Sequence, residues 1–444
     1  MKPLSRYSSL SLTLAALLLT ASLSGCAGKS SSSNSAPSPA ASSASLVPSV
    51  DAPPSSSPVA SPSTATEAPP VETGISSPEN EIAAAVNRMT IDEKIGQLVL
   101  IGMEGTEMDE TTRRFIQERH VGGIIFFKPN LQNSKQMLAL SRQLKKANAG
   151  NPLPLWLSLD QEGGRVTRLP SEFVKWPTNL ALGKVDSTTF SRDVGRLIGE
   201  QLASFGYNLD FAPVLDVNSN PDNPVIGDRS FGSSPSRVSD LGVATMRGIA
   251  ERQVVPVVKH FPGHGDTSVD SHIDLPVVKY GMDRLNRVEL VPFKAAIEQG
   301  ADAVMVAHIL LPQLDKTHPA SFSKEVIDGL LRKQLGFDGV VFTDDMTMGA
   351  VAENYDLADA AVQAVLAGGD IVLVCHDADK ETLVLDALKQ AVVSGKISSE
   401  RLDESVTRIV RLKQKYSLTD ESPIGPDVAD LNKRANNLLN RYMP

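Results

Sequence analysis

Short runs of almost continuous apolar residues recur along residues 79–444 and alternate with longer amphipathic segments. Such runs predict strands covered on both faces, as in a parallel sheet packed between helices. Eight runs fit this description, at residues 95–103, 121–127, 153–160, 208–217, 254–261, 302–308, 339–345 and 371–376. Segments with helical spacing lie between most of them, for example residues 134–149, 188–205, 237–252 and 357–367.

This alternation predicts an α/β fold, a single (β/α)8 TIM-like barrel. An open doubly wound sheet is the alternative, but the sequence has no GxGxxG after a first strand and no GxxxxGK[ST]. Ionisable residues stand at or near the C-terminal ends of most predicted strands, where a barrel has its mouth. They are Asp160, Asp216, Lys259, His260, His308, Asp344, Asp345 and His376. Because each is costly to desolvate, their collection at one mouth predicts an active site.

The first 78 residues follow another pattern. Lys2 and Arg6 precede an apolar run at residues 10–23, which is shorter than the roughly 20 residues of a membrane-spanning helix. The run ends in Leu-Ser-Gly-Cys, which resembles a bacterial lipobox with Cys26 as the lipidated residue. We therefore predict a lipoprotein signal peptide at residues 1–26, and export to the bacterial cell envelope with a membrane anchor through the lipid on Cys26.

Residues 27–78 are mostly serine, proline and alanine, a composition that cannot bury enough apolar surface to fold. We expect a disordered tether there, followed by the catalytic barrel domain at residues 79–444. The 444 residues carry a net charge of -9 and no Lys/Arg block, which argues against a nucleic-acid partner. With only 2 cysteines and Cys26 predicted to carry lipid, no disulfide framework is expected, and Cys375 is read as a core residue.

Three of the 7 histidines fall in the segment KHFPGHGDTSVDSHIDLP, residues 259–276. A metal site is one interpretation, but Pro262 and the neighbouring glycines forbid a regular helix and HExxH is absent, so we expect no metal. The other interpretation is acid/base chemistry. Asp270 and His272 are two residues apart, so the carboxylate can accept the imidazole N–H and raise its basicity. Gly263 and Gly265 suggest hinges of a mobile loop.

A second motif, GVVFTDDMTMGA at residues 339–350, ends a predicted strand with two carboxylates. Side chains alternate along a regular strand, so one of Asp344 and Asp345 enters the pocket and the other braces a loop or caps a helix. A carboxylate opposite an acid/base is what a retaining glycosidase needs. The third motif, LDQEGGRVTRLP at residues 159–170, brings arginines to Asp160; it either holds sugar hydroxyls or forms a salt-bridged turn.

Together with VIGDRSFG at residues 225–232, these motifs make residues 91–412 resemble glycoside hydrolase family 3, in its NagZ-type β-N-acetylglucosaminidase branch. The resemblance implies a (β/α)8-like barrel with Asp344 as the nucleophile, His272 as the acid/base and Asp270 as its partner. It also implies that a group of polar residues binds the hydroxyls of the terminal sugar: Asp160, Arg168, Arg229, Lys259 and His260. No cofactor is implied.

These expectations combine into an exo-acting, retaining β-N-acetylglucosaminidase that removes terminal GlcNAc from muropeptide or chitin-type oligosaccharides. With only 2 Trp and 5% aromatic residues, a pocket for one sugar is favoured over a long aromatic groove. The alternatives are phosphorolysis at the same site, a β-glucosidase, and a non-catalytic sugar-binding lipoprotein. We expect a monomer whose partners are a small oligosaccharide and the membrane.

Overall fold

The structure, a computed structural model, describes residues 77–271 and 274–444. The predicted signal peptide, Cys26, almost all of the tether and His272 lie outside the described residues. Eight parallel strands pair in chain order, and the last pairs with the first to close a barrel. They are β1 (Val99–Ile101), β2 (Gly123–Phe126), β3 (Trp156–Leu159), β4 (Leu209–Asp210), β5 (Val255–Phe261), β6 (Ala303–Val306), β7 (Val340–Asp345) and β8 (Ile371–Val374).

Helices fill the connections and surround the strands, which confirms the predicted TIM-like α/β fold. They are α1 (Pro78–Arg88), α2 (Ile91–Gln97), α3 (Glu110–Gln117), α4 (Ser134–Ala147), α5 (Asn179–Val185), α6 (Thr188–Ser204), α7 (Pro235–Ala250), α8 (Met282–Arg287), α9 (Val291–Glu298), α10 (Gly349–Ala352), α11 (Leu357–Leu366), α12 (Ala378–Val393), α13 (Ser399–Lys415) and α14 (Val428–Tyr442). A π-helix spans Glu325–Gln334, and short 3-10 turns occupy Lys128–Asn130, Gly227–Arg229 and Ala320–Phe322.

All eight predicted strands extend beyond the observed ones, and two of them do so by six or more residues. The strand predicted at residues 95–103 begins only at Val99, because a capping box starts helix α2 upstream. The Thr90 hydroxyl accepts the Glu93 N–H, and the Glu93 carboxylate accepts the Thr90 N–H, so the helix is fixed before the apolar run begins. The strand predicted at 208–217 is two residues long, since Pro213 has no N–H to donate to a ladder.

The barrel core is formed by the nearly inaccessible strand residues, with Phe211 and Phe342 in edge-to-face contact at 5.6 Å between ring centroids. Outside the barrel, α14 packs against α6, where the rings of Tyr442 and Phe190 stack with centroids 4.6 Å apart. Within the described ranges, no helix has both the length and the apolar character to cross a bilayer. The closed barrel places the polar strand ends around a single mouth.

Candidate active site

A cavity of about 340 Å³ opens at the carboxyl ends of the strands. Its volume lies at the low end of the range of about 300–1,000 Å³ for ligand pockets, which suits one sugar ring. Six predicted site residues line it together: Asp160, Arg168, Arg229, Lys259, His260 and Asp344. Asp270 is described and partly buried but is not one of the lining residues, although its neighbour Ser271 is. Both tryptophans of the chain are buried in the core, away from this cavity.

The ammonium of Lys259 in β5 lies between two carboxylates. Its Nζ is 2.7 Å from Asp160, which directly follows β3, and 2.7 Å from Glu162. Burial lowers the pKa of Lys259, but the two carboxylates outweigh burial and raise the pKa above its ordinary value. For Asp160 the signs are reversed: burial raises its pKa, but Lys259 and Arg168 outweigh burial and hold the pKa below its usual range. Lys259 and Asp160 are therefore both charged at neutral pH.

Arg168 completes the ion cluster on the β3 side. Its Nη2 donates to Asp160 at 3.0 Å, and its guanidinium stands over the Phe127 ring, 5.6 Å from the centroid. The Nε of Arg168 is buried and has no protein acceptor. An oriented guanidinium and ammonium around one carboxylate present both donors and acceptors to a polyhydroxylated ligand.

Glu162 is a site residue that the sequence analysis missed. Its carboxylate accepts two hydrogen bonds from Arg229, at 2.8 Å from Nε and 2.7 Å from Nη2. Burial raises the pKa of Glu162, but Arg229 and Lys259 outweigh burial and hold it well below its usual range. The third motif contains the clue, because Glu162 is an ionisable residue only two positions after Asp160. The partners of Glu162, however, lie far along the chain. Glu162 thus fixes two of the predicted sugar-binding cations.

Asp216, which follows β4, orients His260. Its Oδ2 is 2.6 Å from Nδ1 of His260, and its Oδ1 accepts the backbone N–H of His264 at 2.6 Å. On the other side of the ring, Nε2 of His260 is 3.2 Å from Nη2 of Arg229. Because a guanidinium only donates, His260 accepts through Nε2 and carries its proton on Nδ1. Burial raises the pKa of Asp216, but His260 and the hydrogen bonds outweigh burial and hold the pKa below its ordinary value. The carboxylate is therefore ionised.

Both carboxylates of β7 line the cavity, where the alternation predicted only one of them, but their hydrogen-bond partners differ. Asp344 lines the cavity; burial raises its pKa, but His260, His308 and the N–H of Asp345 outweigh burial and keep the pKa low. Asp345 accepts the N–H and hydroxyl of Thr347 at 2.9 and 2.7 Å, and the N–H of Cys375 at 3.0 Å. Asp345 therefore braces β8 and the turn that follows β7.

The loop after β5 is closely packed where the sequence suggested hinges. Gly263 has a φ of 132°, in the region that favours glycine, and a Cβ on Gly265 would overlap the carbonyl oxygen of Val217. Local geometry therefore requires glycine at both positions, through the backbone angle at Gly263 and the close contact at Gly265. Over the described ranges, no group of three or more His, Cys, Asp or Glu is arranged to hold a metal ion.

This arrangement, an ionised carboxylate among charged hydrogen-bonding groups at the mouth of a parallel barrel, is one that a barrel glycosidase uses. Residues 90–412 match the Glycosyl hydrolase family 3 N terminal domain. The chain therefore belongs to glycosyl hydrolase family 3, and it is a glycosidase.

Similar proteins with assigned names also belong to this kind of enzyme. The chain is 35% identical to Beta-hexosaminidase A of Pseudoalteromonas piscicida over 71% of its own length, but it spans only 57% of that protein. It is 36% identical to Beta-hexosaminidase LpqI of Mycobacterium tuberculosis, over 72% of this chain and 82% of the relative. A solved family 3 β-N-acetylglucosaminidase from Paenibacillus sp. superposes with a TM-score of 0.75 and 44% identity, over 79% of this chain and 68% of the other.

Proposed function

We propose that the protein is an exo-acting, retaining β-N-acetylglucosaminidase that hydrolyses terminal, non-reducing β-GlcNAc. The observation that carries the proposal is the position of Asp344, an ionised carboxylate that shares a cavity of about 340 Å³ with Asp160, Arg168 and Lys259. A cavity of this volume suits one ring better than a chain of several rings, which favours exo-action. The names of the relatives, Beta-hexosaminidase and β-N-acetylglucosaminidase, support GlcNAc as the sugar.

The reaction proceeds in two displacements. Asp344 attacks the anomeric carbon and the bond to the aglycone oxygen breaks, while His272, oriented by Asp270, gives its proton to that oxygen. His272 then takes a proton from water, the water oxygen attacks the anomeric carbon, and Asp344 leaves with net retention. Throughout both steps the Asp160, Lys259 and Arg168 cluster holds the ring hydroxyls. The role of His272 rests on its motif alone.

The natural substrates are muropeptide or chitin-type oligosaccharides, encountered in the bacterial envelope. The support for this location is the pattern of residues 1–26, an apolar run that ends at a lipobox-like Cys26, and the tether composition that follows. In this proposal the lipid on Cys26 holds a monomeric catalytic barrel near the membrane. The full chain with Cys26→Ser, expressed beside the unchanged protein in a bacterial host fed with labelled palmitate, tests it: only the unchanged protein should incorporate label and sediment with membranes.

The catalytic proposal is tested with the 4-nitrophenyl β-glycosides of GlcNAc and of glucose. We expect nitrophenol release mainly from the GlcNAc glycoside, abolished by Asp344→Asn and reduced less by His272→Ala, because nitrophenolate leaves without much protonation. NMR of the first-formed sugar should show the β-anomer. A preference for the glucoside would place the protein among β-glucosidases, a sugar 1-phosphate formed in phosphate buffer would indicate phosphorolysis, and no release from either would favour a sugar-binding protein.

A further inference from the structure

Ser271 lies between the two residues of the proposed acid/base pair and is unusually constrained for a loop residue. It is 2% exposed, whereas Ser268 and Val269 in the same loop are exposed. It also lines the sugar cavity. The burial indicates that this point of the loop is held against the barrel mouth.

Two separate contacts hold Ser271. Its hydroxyl oxygen is 3.2 Å from Nε2 of His264, at the start of the loop. Its carbonyl oxygen accepts the N–H of Ala350 in α10 at 3.1 Å. Since α10 begins only four residues after Asp345, the second contact ties the loop to the segment that directly follows the proposed nucleophile, Asp344.

The surroundings of His264 fix which atom donates in the first contact. The hydroxyl of Thr267 donates to the carbonyl oxygen of His264 at 3.1 Å, so it accepts from Nδ1 of the same residue at 2.7 Å. His264 therefore carries its proton on Nδ1 and leaves Nε2 free to accept the Ser271 hydroxyl proton. Burial, with His260 nearby, lowers the pKa of His264 to about 4, which keeps the ring neutral and this arrangement intact at neutral pH.

We propose that Ser271 is a positioning residue for the acid/base step: its hydroxyl bound to His264 and its carbonyl bound to Ala350 set the distance of the Asp270 loop from Asp344. The inference rests on the proposed function, because it assigns to Ser271 the placement of the proton donor. A hydroxyl alone makes the first contact, so the placement depends on a single side-chain atom. Ser271 itself transfers no proton to the substrate.

The test compares Ser271→Ala with Ser271→Thr, which keeps the hydroxyl, and with Ser268→Ala, the same change at an exposed position of the same loop. Turnover is measured for 4-nitrophenyl β-GlcNAc and for a GlcNAc disaccharide, whose leaving group needs a proton. Because general acid catalysis contributes about 100-fold to 10,000-fold, we expect Ser271→Ala to lower kcat on the disaccharide by at least about tenfold and on the nitrophenyl glycoside by less than about threefold. Ser271→Thr should restore most of the loss.

A companion variant keeps Ser271 and disturbs its acceptor. Thr267→Val removes the partner of Nδ1 of His264, so the ring is free to adopt the other tautomer, and the same selective loss on the disaccharide is expected. Equal losses on both substrates, or a Ser271→Ala variant as active as Ser268→Ala on the disaccharide, would overturn the inference while leaving the glycosidase intact. Lack of activity in the unchanged protein would instead refute the proposed function.

Discussion

Glu162 and Arg229 form a bidentate ion pair in the wall of the cavity, with Glu162 oxygens 2.8 Å from Nε and 2.7 Å from Nη2 of Arg229. The side chain of Glu162 is only 1% exposed, and that of Arg229 only 11%. Lys259 adds a second cation, 2.7 Å from the same carboxylate. A buried charge with such partners is expensive to disrupt, since removal of one charge leaves the others uncompensated.

Glu162→Gln should therefore weaken both the fold and the sugar site. We expect the free energy of unfolding to fall by about 3 kcal/mol and KM for 4-nitrophenyl β-GlcNAc to rise about tenfold, because Arg229 and Lys259 lose their common anchor. Denaturant titration and initial rates measure the two effects. The control is Asp228→Asn, which breaks the exposed pair between Asp228 and Arg165 and should cost at most about 1 kcal/mol. Equal effects of the two variants would contradict this account.

The two buried aspartates near β4 should respond differently to the same change. Asp216→Asn replaces one of two accepting oxygens by an NH2 group, so either His260 Nδ1 or the N–H of His264 faces a donor. We expect more than about a tenfold loss in kcat/KM. In Asp210, burial raises the pKa well above its ordinary value, and in the described part of the chain only Oδ1 of its carboxyl accepts a hydrogen bond, from the N–H of Gln161 at 2.8 Å. Asp210→Asn keeps that acceptor and should be tolerated.

Nitrogen NMR of the histidine rings checks the cause of that difference. In the unchanged protein and in Asp210→Asn, His260 should show the tautomer with its proton on Nδ1. In Asp216→Asn this signal should be lost or shifted. An unaltered His260 signal in an inactive Asp216→Asn variant would mean that the carboxylate acts other than by orienting the ring.

Asp344 and Asp345 are adjacent carboxylates for which we expect distinct roles. Asp344→Asn should lower kcat more than about a thousandfold, as expected when a nucleophile is lost. Asp345→Asn keeps one oxygen for the N–H groups of Thr347 and Cys375 and loses the acceptor of the Thr347 hydroxyl, so a loss of about tenfold is expected. Losses of equal size would assign the chemistry to both residues or to neither.

Stability should depend on pH through Glu381, which lies beside the barrel mouth and accepts the N–H of Gly102 at 3.1 Å. Burial, aided by Asp377 and Glu104, raises the pKa of Glu381 to about 8. Between pH 4.5 and 8 the unfolded chain ionises this carboxyl while the folded protein keeps it protonated. Stabilisation by the protonated form is therefore complete below pH 4.5 and is lost as the pH rises towards 8.

Glu381→Gln keeps an acceptor for Gly102 but cannot ionise. We expect the unfolding free energy of the unchanged protein, relative to this variant, to fall by roughly 2 to 4 kcal/mol between pH 5 and 8. Denaturant titrations at pH 5, 6.5 and 8 measure the difference, with Glu353→Gln as the exposed control. A constant difference across this range would show that Glu381 is ionised in the folded protein.

The apolar runs were enough to predict the barrel, because buried parallel strands need continuous apolar sequence and their ends share one mouth. The errors came from local chemistry. The capping box at Thr90 converted the start of the first run into a helix, and Pro213 shortened β4. Both features can be recognised in the sequence, but the prediction of strand ends followed the hydrophobic pattern alone.

The site was predicted to the extent that its residues stand at strand ends. Asp160, Lys259, His260 and Asp344 do, and all four line the cavity. Glu162 was missed because its role depends on Arg229, 67 positions away, which only the closed barrel brings near. The contacts of Ser271 with His264 and Ala350 were missed as well, since no pattern along the chain predicts them.

The proposed reaction requires that Asp344 form a covalent bond to the sugar. A fluorinated GlcNAc glycoside with a good leaving group, which slows the second displacement, should trap the glycosyl-enzyme, and peptide mass spectrometry locates the added sugar. We predict one sugar per chain, attached to Asp344 and absent from Asp344→Asn. Attachment to another residue, or steady turnover of the probe with no adduct in a rapidly quenched sample, would rule out Asp344 as the nucleophile.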